Sequence, residues 1–204
     1  MEEYSYLVID SSNRLIRHIA SFPEILREQK EKFDEFIKML EEGKAIHIFG
    51  VGRSGAVALC FAIRLKHFER DFGHKVWWLG DEVREKIEKG DVLIIFSGSG
   101  ETAEAYFISK KGKETGAKLV LITSYPESSI GEISDLIIRL PGGMEKAKGW
   151  KYLEAQVSED AEFYGGGEFE LMAYLLQETL IMAIGRYKSI TKSAVVKEHF
   201  RDSV

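Results

Sequence analysis

Two stretches of the 204-residue chain concentrate residue types that bind anions. The first is Gly50-Val51-Gly52-Arg53-Ser54-Gly55. Its glycines let the backbone turn tightly and approach a ligand closely. A helix starting there aims free N–H groups and its positive end at the loop. Gly52, Arg53 and Ser54 are therefore candidate phosphate-binding residues, and Arg53 reads equally as a partner for a subunit's carboxylate. The spacing also fits GxGxxG, the dinucleotide fingerprint, which asks for a ribose-binding acid after the second strand, here Asp81 or Glu82. A tight turn that holds no ligand is a third reading of the same residues.

The second stretch, Ser97-Gly98-Ser99-Gly100-Glu101-Thr102, places three hydroxyls and two glycines within six residues. Hydroxyls and backbone amides together surround a phosphate without a cationic side chain. Ser97, Ser99 and Thr102 are candidates for the ester, and Gly98 for close backbone approach. A dinucleotide site does not require this second cradle. Glu101 reads as a cap on the following helix, and the whole segment also reads as a capped, serine-rich turn. Thr123 and Ser124, a third hydroxyl pair, are possible substrate ligands or merely turn formers.

The elements that position these loops follow from hydrophobic patterning. Short apolar, β-branched runs at 45–49, 75–79, 92–96, 118–122 and 136–140 predict strands buried on both faces of a parallel sheet. Segments 54–70 and 102–115 between them read as crossover helices. The alternation predicts an α/β, doubly wound, three-layer αβα sandwich on a five-stranded parallel sheet. Both loops and Thr123-Ser124 then lie at the carboxyl edge of that sheet, where ligands bind.

Residues 1–42 read as two helices, with Pro23 breaking the first and Gly43 capping the second. Residues 142–167 form the longest irregular stretch, and a strong helix follows from 169 to about 187. Within it Tyr174, Leu175 and Met182 read as core. A last helical piece covers 191–200. The expected organisation is one domain over 1–204: N-terminal helices (1–42), sheet core with the loops (43–141), and an active-site loop with C-terminal helices (142–204).

Composition limits the partners. Net charge is −5 and no segment clusters Lys and Arg, which argues against nucleic acid. No apolar run is long enough to span a bilayer. The opening MEEYSYLVID lacks the pattern of a signal peptide, so a cytoplasmic location is expected. The single cysteine, Cys60, excludes an internal disulfide and a CxxC metal site, and no His/Asp/Glu set has metal spacing. His47 reads as a satisfied core residue; His18, His67 and His74 have no companion ligands.

With both loops placed, the sequence resembles the SIS (sugar isomerase) family: GVGRSG after the first strand and SGSGET after the third stand in that family's order and spacing. Within it the chain is most similar to the 6-phospho-3-hexuloisomerases. Tyr152, Gln156, the pair Phe169-Glu170 and the tail Lys197-Glu198-His199 also match. The resemblance implies interconversion of D-arabino-hex-3-ulose 6-phosphate and fructose 6-phosphate by a homotetramer (or dimer) that needs no metal or other cofactor. One segment departs. Where the subfamily carries Pro-Leu-Gly-Thr/Ser before Phe-Glu, this chain has Gly165-Gly166-Gly167-Glu168, a carboxylate in place of a hydroxyl.

A ketose-to-ketose shift proceeds economically through a cis-enediol, with a base removing a proton alpha to the carbonyl and an acid serving the oxygen. Glu170 is the candidate base, by position and by resemblance, with Glu168 its rival. Both also read as carboxylates that stabilise a helix start. His199 is the candidate for proton transfer at oxygen, in its own or a neighbouring subunit. The alternatives are a non-catalytic sugar-phosphate regulator built on the same cradle and an isomerase for another phosphosugar.

Overall fold

The computed structural model describes residues 4–142, 167–191, 193, 195 and 196. Helices α1 (Tyr4–Ile19), α2 (Phe22–Arg27) and α3 (Lys30–Glu42) precede the sheet. Strands β1 (Ala45–Gly50), β2 (Lys75–Trp78), β3 (Val92–Phe96), β4 (Lys118–Thr123) and β5 (Leu136–Arg139) follow the predicted runs to within a residue. Between them lie α4 (Gly52–Lys66), α5 (Glu69–Phe72), α6 (Ala103–Thr115) and a 3-10 turn (Gly131–Ile133); α7 (Glu168–Tyr187) comes last. Every pairing is parallel and the strand order is β2-β1-β3-β4-β5. This is the doubly wound architecture that the alternation of elements predicted. Its switch point lies between β1 and β3, where ligand crevices form.

Side chains alternate across the strands. Ile46, Ile48, Ile94, Phe96, Val120 and Ile122 pack with α3, α4 and α7 on one face. Phe49, Leu93, Ile95, Leu119 and Leu121 pack on the other with Ala105 of α6 and Ile130. Burial on both faces explains why the strands read as unbroken apolar runs.

Several local expectations need correction. The chain turns at Ala20 and Ser21 rather than at Pro23. Pro23 instead sits in the first turn of α2, where its missing N–H costs nothing. Residues 22–42 form two helices, not one. The break lets the Gln29 amide pair with both the N–H and the carbonyl of Arg139, while Lys32 Nζ donates to Ile137 O at 2.7 Å. These side chains cover the open edge of β5. Gly43 does end α3, but in an extended conformation; an added Cβ would lie 2.8 Å from Val92 Cγ2, so close approach explains the glycine. Tyr174 and Met182 are exposed, and the core face of α7 is Phe169, Met172, Ala173, Leu176 and Leu180. α1 buries none of its residues.

Candidate functional site

The register brings the two loops side by side. Gly50 at the end of β1 pairs with Phe96 at the end of β3, so GVGRSG and SGSGET leave adjacent strands at one edge of the sheet. The three glycines of the first loop have separate jobs. A Cβ on Gly55 would lie 2.7 Å from Gly50 O, and one on Gly50 would lie 3.0 Å from the Gly55 backbone, so this pair lets α4 seat against β1. Gly52 has φ +60, and an added Cβ would meet nothing within 4 Å among the described residues. It opens the first turn of α4 to the crevice. Helix geometry leaves the first amides of α4 without intrahelical acceptors, and they point there.

In the second loop, Ser97 Oγ accepts from Gly100 N at 3.1 Å and Ser99 Oγ from Glu101 N at 3.2 Å. A hydroxyl that accepts in this way keeps its own hydrogen to donate. Gly100 has φ +64, and a Cβ there would fall 1.9 Å from Ser128 Oγ. Thr102 occupies the N-cap position of α6 without a side-chain capping bond. Glu101 does not cap α6. Its carboxylate accepts from Ser129 N at 2.9 Å and Ser129 Oγ at 2.7 Å, clamping the loop to the turn after β4. Thr123 is fully buried, donating to Gly98 O at 3.1 Å and accepting from Tyr125 N. Its hydroxyl thus builds the loop. Ser124 Oγ is buried and has no hydrogen-bond partner among the described residues.

α7 brings its first turn to the same edge. Ser54 Oγ donates to Glu170 Oε1 at 3.0 Å, and Arg53 Nη2 lies 3.8 Å from Glu170 Oε2. Here the Ser54 hydroxyl hydrogen is directed at the carboxylate, and the hydroxyl fixes where Glu170 points. The Glu170 side chain is 16% exposed, and Oε2 accepts no hydrogen bond among the described residues. A partly dehydrated carboxylate with one oxygen that accepts no hydrogen bond, and with the Arg53 guanidinium 3.8 Å away, has an oxygen open to a proton.

Glu168, two residues earlier, points elsewhere. Its Oε1 lies 2.6 Å from Nε2 of His18 at the end of α1. Sequence reasoning passed over His18, which it weighed only as a metal ligand. The signal available was indirect: a carboxylate standing where a hydroxyl is expected calls for a polar partner. His18 and Glu168 wall a hollow of about 610 Å³ that Gln29, Lys32, Ser124, Tyr125 and Arg139 also line. Burial holds the Lys32 ammonium below its ordinary range, and nearby Arg139 adds to the effect. Burial, followed by the charge of Glu168, raises the Tyr125 phenol.

Asp81 and Glu82 line a different hollow, with Phe107 and Lys111. The first-loop residues do not line it, which removes the support that a dinucleotide reading needs. His47 is buried, as expected of a core histidine, with Nε2 3.0 Å from Asp91 Oδ2, but it is only half satisfied: its Nδ1 has no hydrogen-bond partner among the described residues. Among the described residues no group of three or more His, Cys, Asp or Glu is placed to hold a metal ion. His199, Tyr152, Gln156 and the Gly165-Gly166 segment lie outside the described residues.

Comparison with known proteins identifies the family. A family model described as SIS domain matches residues 39–158. A 3-hexulose-6-phosphate isomerase of Methanocaldococcus jannaschii is 33% identical over 172 residues, 84% of this chain and 84% of that protein. The protein of that name in Bacillus subtilis is 30% identical over 169 residues, covering 83% and 85%. A Methanococcus jannaschii crystal structure, from which a molecular function of 3-hexulose-6-phosphate isomerase was inferred, superposes with a TM-score of 0.71 at 29% identity, covering 91% of this chain and 97% of that one.

Proposed function

The chain belongs to the SIS domain family, and from that premise we propose that it is a sugar-phosphate isomerase interconverting D-arabino-hex-3-ulose 6-phosphate and fructose 6-phosphate. The observation that carries this reading is Glu170: one carboxylate held by Ser54 at 3.0 Å, beside the junction of the two glycine- and serine-rich loops, with its second oxygen accepting no hydrogen bond and 3.8 Å from Arg53.

In this reading the ester rests on the second loop, against Ser97, Ser99, Thr102 and the amides that open α6, with Gly52, Arg53 and the first amides of α4 closing the other side. Glu170 takes the proton from C2 of the 3-ketose. The C–H electrons form the C2=C3 bond of a cis-enediol as the C3 oxygen is protonated. Return of a proton to C3, with loss of the C2 hydroxyl proton, leaves the C2 ketone of fructose 6-phosphate. Glu168 is less suited, because His18 already engages it. His199 is proposed for the proton at oxygen. The working form is proposed to be a cytoplasmic homo-oligomer; no described helix is long and apolar enough to cross a membrane.

The test is proton exchange. Fructose 6-phosphate incubated with the protein in deuterated water gains deuterium at the carbon alpha to the carbonyl. Glu170→Gln loses this exchange by at least about 10²-fold, the lower range for a general base, while still binding the ester. Normal exchange in the variant excludes Glu170 as the base.

A further inference from the structure

The hollow of about 610 Å³ that Lys32 and Arg139 line has no part in the reaction proposed above, yet it holds polar groups with bonds to spare. Ser124 is 7% exposed, and its Oγ has no hydrogen-bond partner among the described residues. A buried hydroxyl left unpaired is costly, so the position calls for a partner from outside the chain. An added Cβ on Gly142 would lie 2.4 Å from that oxygen. Glycine at 142 thus leaves the hydroxyl room, and both residues line the hollow. Two cations share the space. Lys32 Nζ spends one hydrogen on Ile137 O at 2.7 Å and keeps two others to donate. Burial and then the charge of Arg139 hold its ammonium below the ordinary range, so the two positive groups act against each other. Of the acids that line the hollow, Glu168 is engaged by His18 at 2.6 Å and Glu28 is exposed to solvent screening.

We propose that this hollow is a second binding site, separate from the ester cradle, for a small phosphate monoester held by Lys32, Arg139 and Ser124 Oγ. Near neutral pH such a group carries about −1.5 to −2 charges, which matches two cations, whereas a carboxylate brings one. Its several acceptor oxygens take the Lys32, Arg139 and Ser124 donors together. Phosphate alone fills a small part of the space, and Ile25, Pro126 and Leu140 in the wall suit an organic body. Ser54, Ser99 and Glu170 do not line the hollow. The site is therefore not the crevice of the proposed reaction, and the inference does not depend on that reaction. The two are neighbours all the same: Ser124 N donates to Gly98 O of the second loop at 3.0 Å.

The test is titration calorimetry of the full chain in phosphate-free buffer, with phenyl phosphate and inorganic phosphate as probes. Phenyl phosphate is expected to fill two sites per chain, the cradle and the hollow. Lys32→Gln and Arg139→Gln should each weaken one of them by about tenfold or more, the loss of a hydrogen bond to a charged group. Ser99→Ala should weaken the other alone. Arg139→Gln guards against loss of the fold, because the bonds between Gln29 and Arg139 use the Arg139 main chain and survive the change. Ser124→Ala should also weaken the hollow site while melting no lower than the wild type, since its hydroxyl has no bond to lose among the described residues. A single site that Ser99→Ala weakens and the hollow variants leave unchanged means that water alone meets Ser124; it overturns this inference and leaves the cradle standing. A single site that answers only to Lys32 and Arg139 supports the hollow and removes the cradle. No binding of either probe overturns both. Inorganic phosphate held in the hollow as tightly as phenyl phosphate assigns the site to the free anion and overturns the monoester.

Discussion

Gly52 and Gly100 share a backbone conformation and differ in surroundings, which separates a ligand role from a structural one. Their φ angles are +60 and +64. Alanine at either position therefore pays the left-handed penalty, about 1–2 kcal/mol. At Gly52 that is the whole cost, because the added Cβ meets nothing within 4 Å among the described residues. At Gly100 the Cβ would fall 1.9 Å from Ser128 Oγ and 2.4 Å from its Cβ. Ser128 must move, and the bond it accepts from Gly131 N at 3.3 Å goes with it. Losing that buried bond adds about 1 kcal/mol, and the displaced packing a similar amount. Gly100→Ala is thus expected to cost about 3–4 kcal/mol, and Gly52→Ala about 1–2. At about 2–4 °C per kcal/mol for a chain of this size, the melting temperatures should differ by roughly 4–8 °C. Phosphate-ester binding should reverse the order of interest: Gly52→Ala keeps most of its stability yet loses affinity, since its methyl occupies the approach to the α4 amides. Calorimetric melting and titration with fructose 6-phosphate measure both. Equal melting temperatures would refute the steric account of Gly100, and wild-type affinity in Gly52→Ala would refute an approach over the first loop.

Three further outcomes are expected. Ser99→Ala should weaken ester binding by about 1–3 kcal/mol, the value of a hydrogen bond to a charged group, whereas Ser54→Ala should lower the exchange rate more than the affinity, because its hydroxyl serves Glu170; titration and deuterium exchange on the two variants distinguish these effects. Replacing Glu101 with Gln should destabilise the second loop by about 1–2 kcal/mol as its bonds to Ser129 lose their charge, read as a lower urea midpoint, and an unchanged midpoint would remove Glu101 from the clamp. Stability should also fall with acidification: burial holds His47 and His74 below the ordinary 6.5 despite the opposing Asp91 pair at His47, so below pH 6.5 the unfolded chain binds more protons than the folded one and the unfolding free energy declines. Urea titrations between pH 7.5 and 5.5 measure the slope, which His74→Gln should reduce; a stability that rises over that interval contradicts the assignment.

The sheet and both loops were legible because their signals are local. Runs such as Val92–Phe96 are apolar on both faces, and loop glycines are spaced by the turns they make. The long-range partners were not legible. Ser54 meets Glu170 across 116 residues, and His18 meets Glu168 from opposite ends of the chain; no periodicity encodes either contact. Glu101 read as a helix cap because its spacing suits one, but the fold supplies Ser129 as a better partner. Tyr174 and Met182 misled for another reason. α7 is apolar nearly all round, so its pattern does not say which stripe faces the sheet.

A crystal structure of Glu170→Gln grown with fructose 6-phosphate tests the central claim most directly. The ester should lie between the two loops, with its oxygens within hydrogen-bonding distance of Ser99 Oγ and the first amides of α6, and with C2 and C3 against residue 170. Density for the ester in the hollow lined by Lys32 and Arg139, or beside Asp81 and Lys111, with the crevice between β1 and β3 vacant, would contradict it.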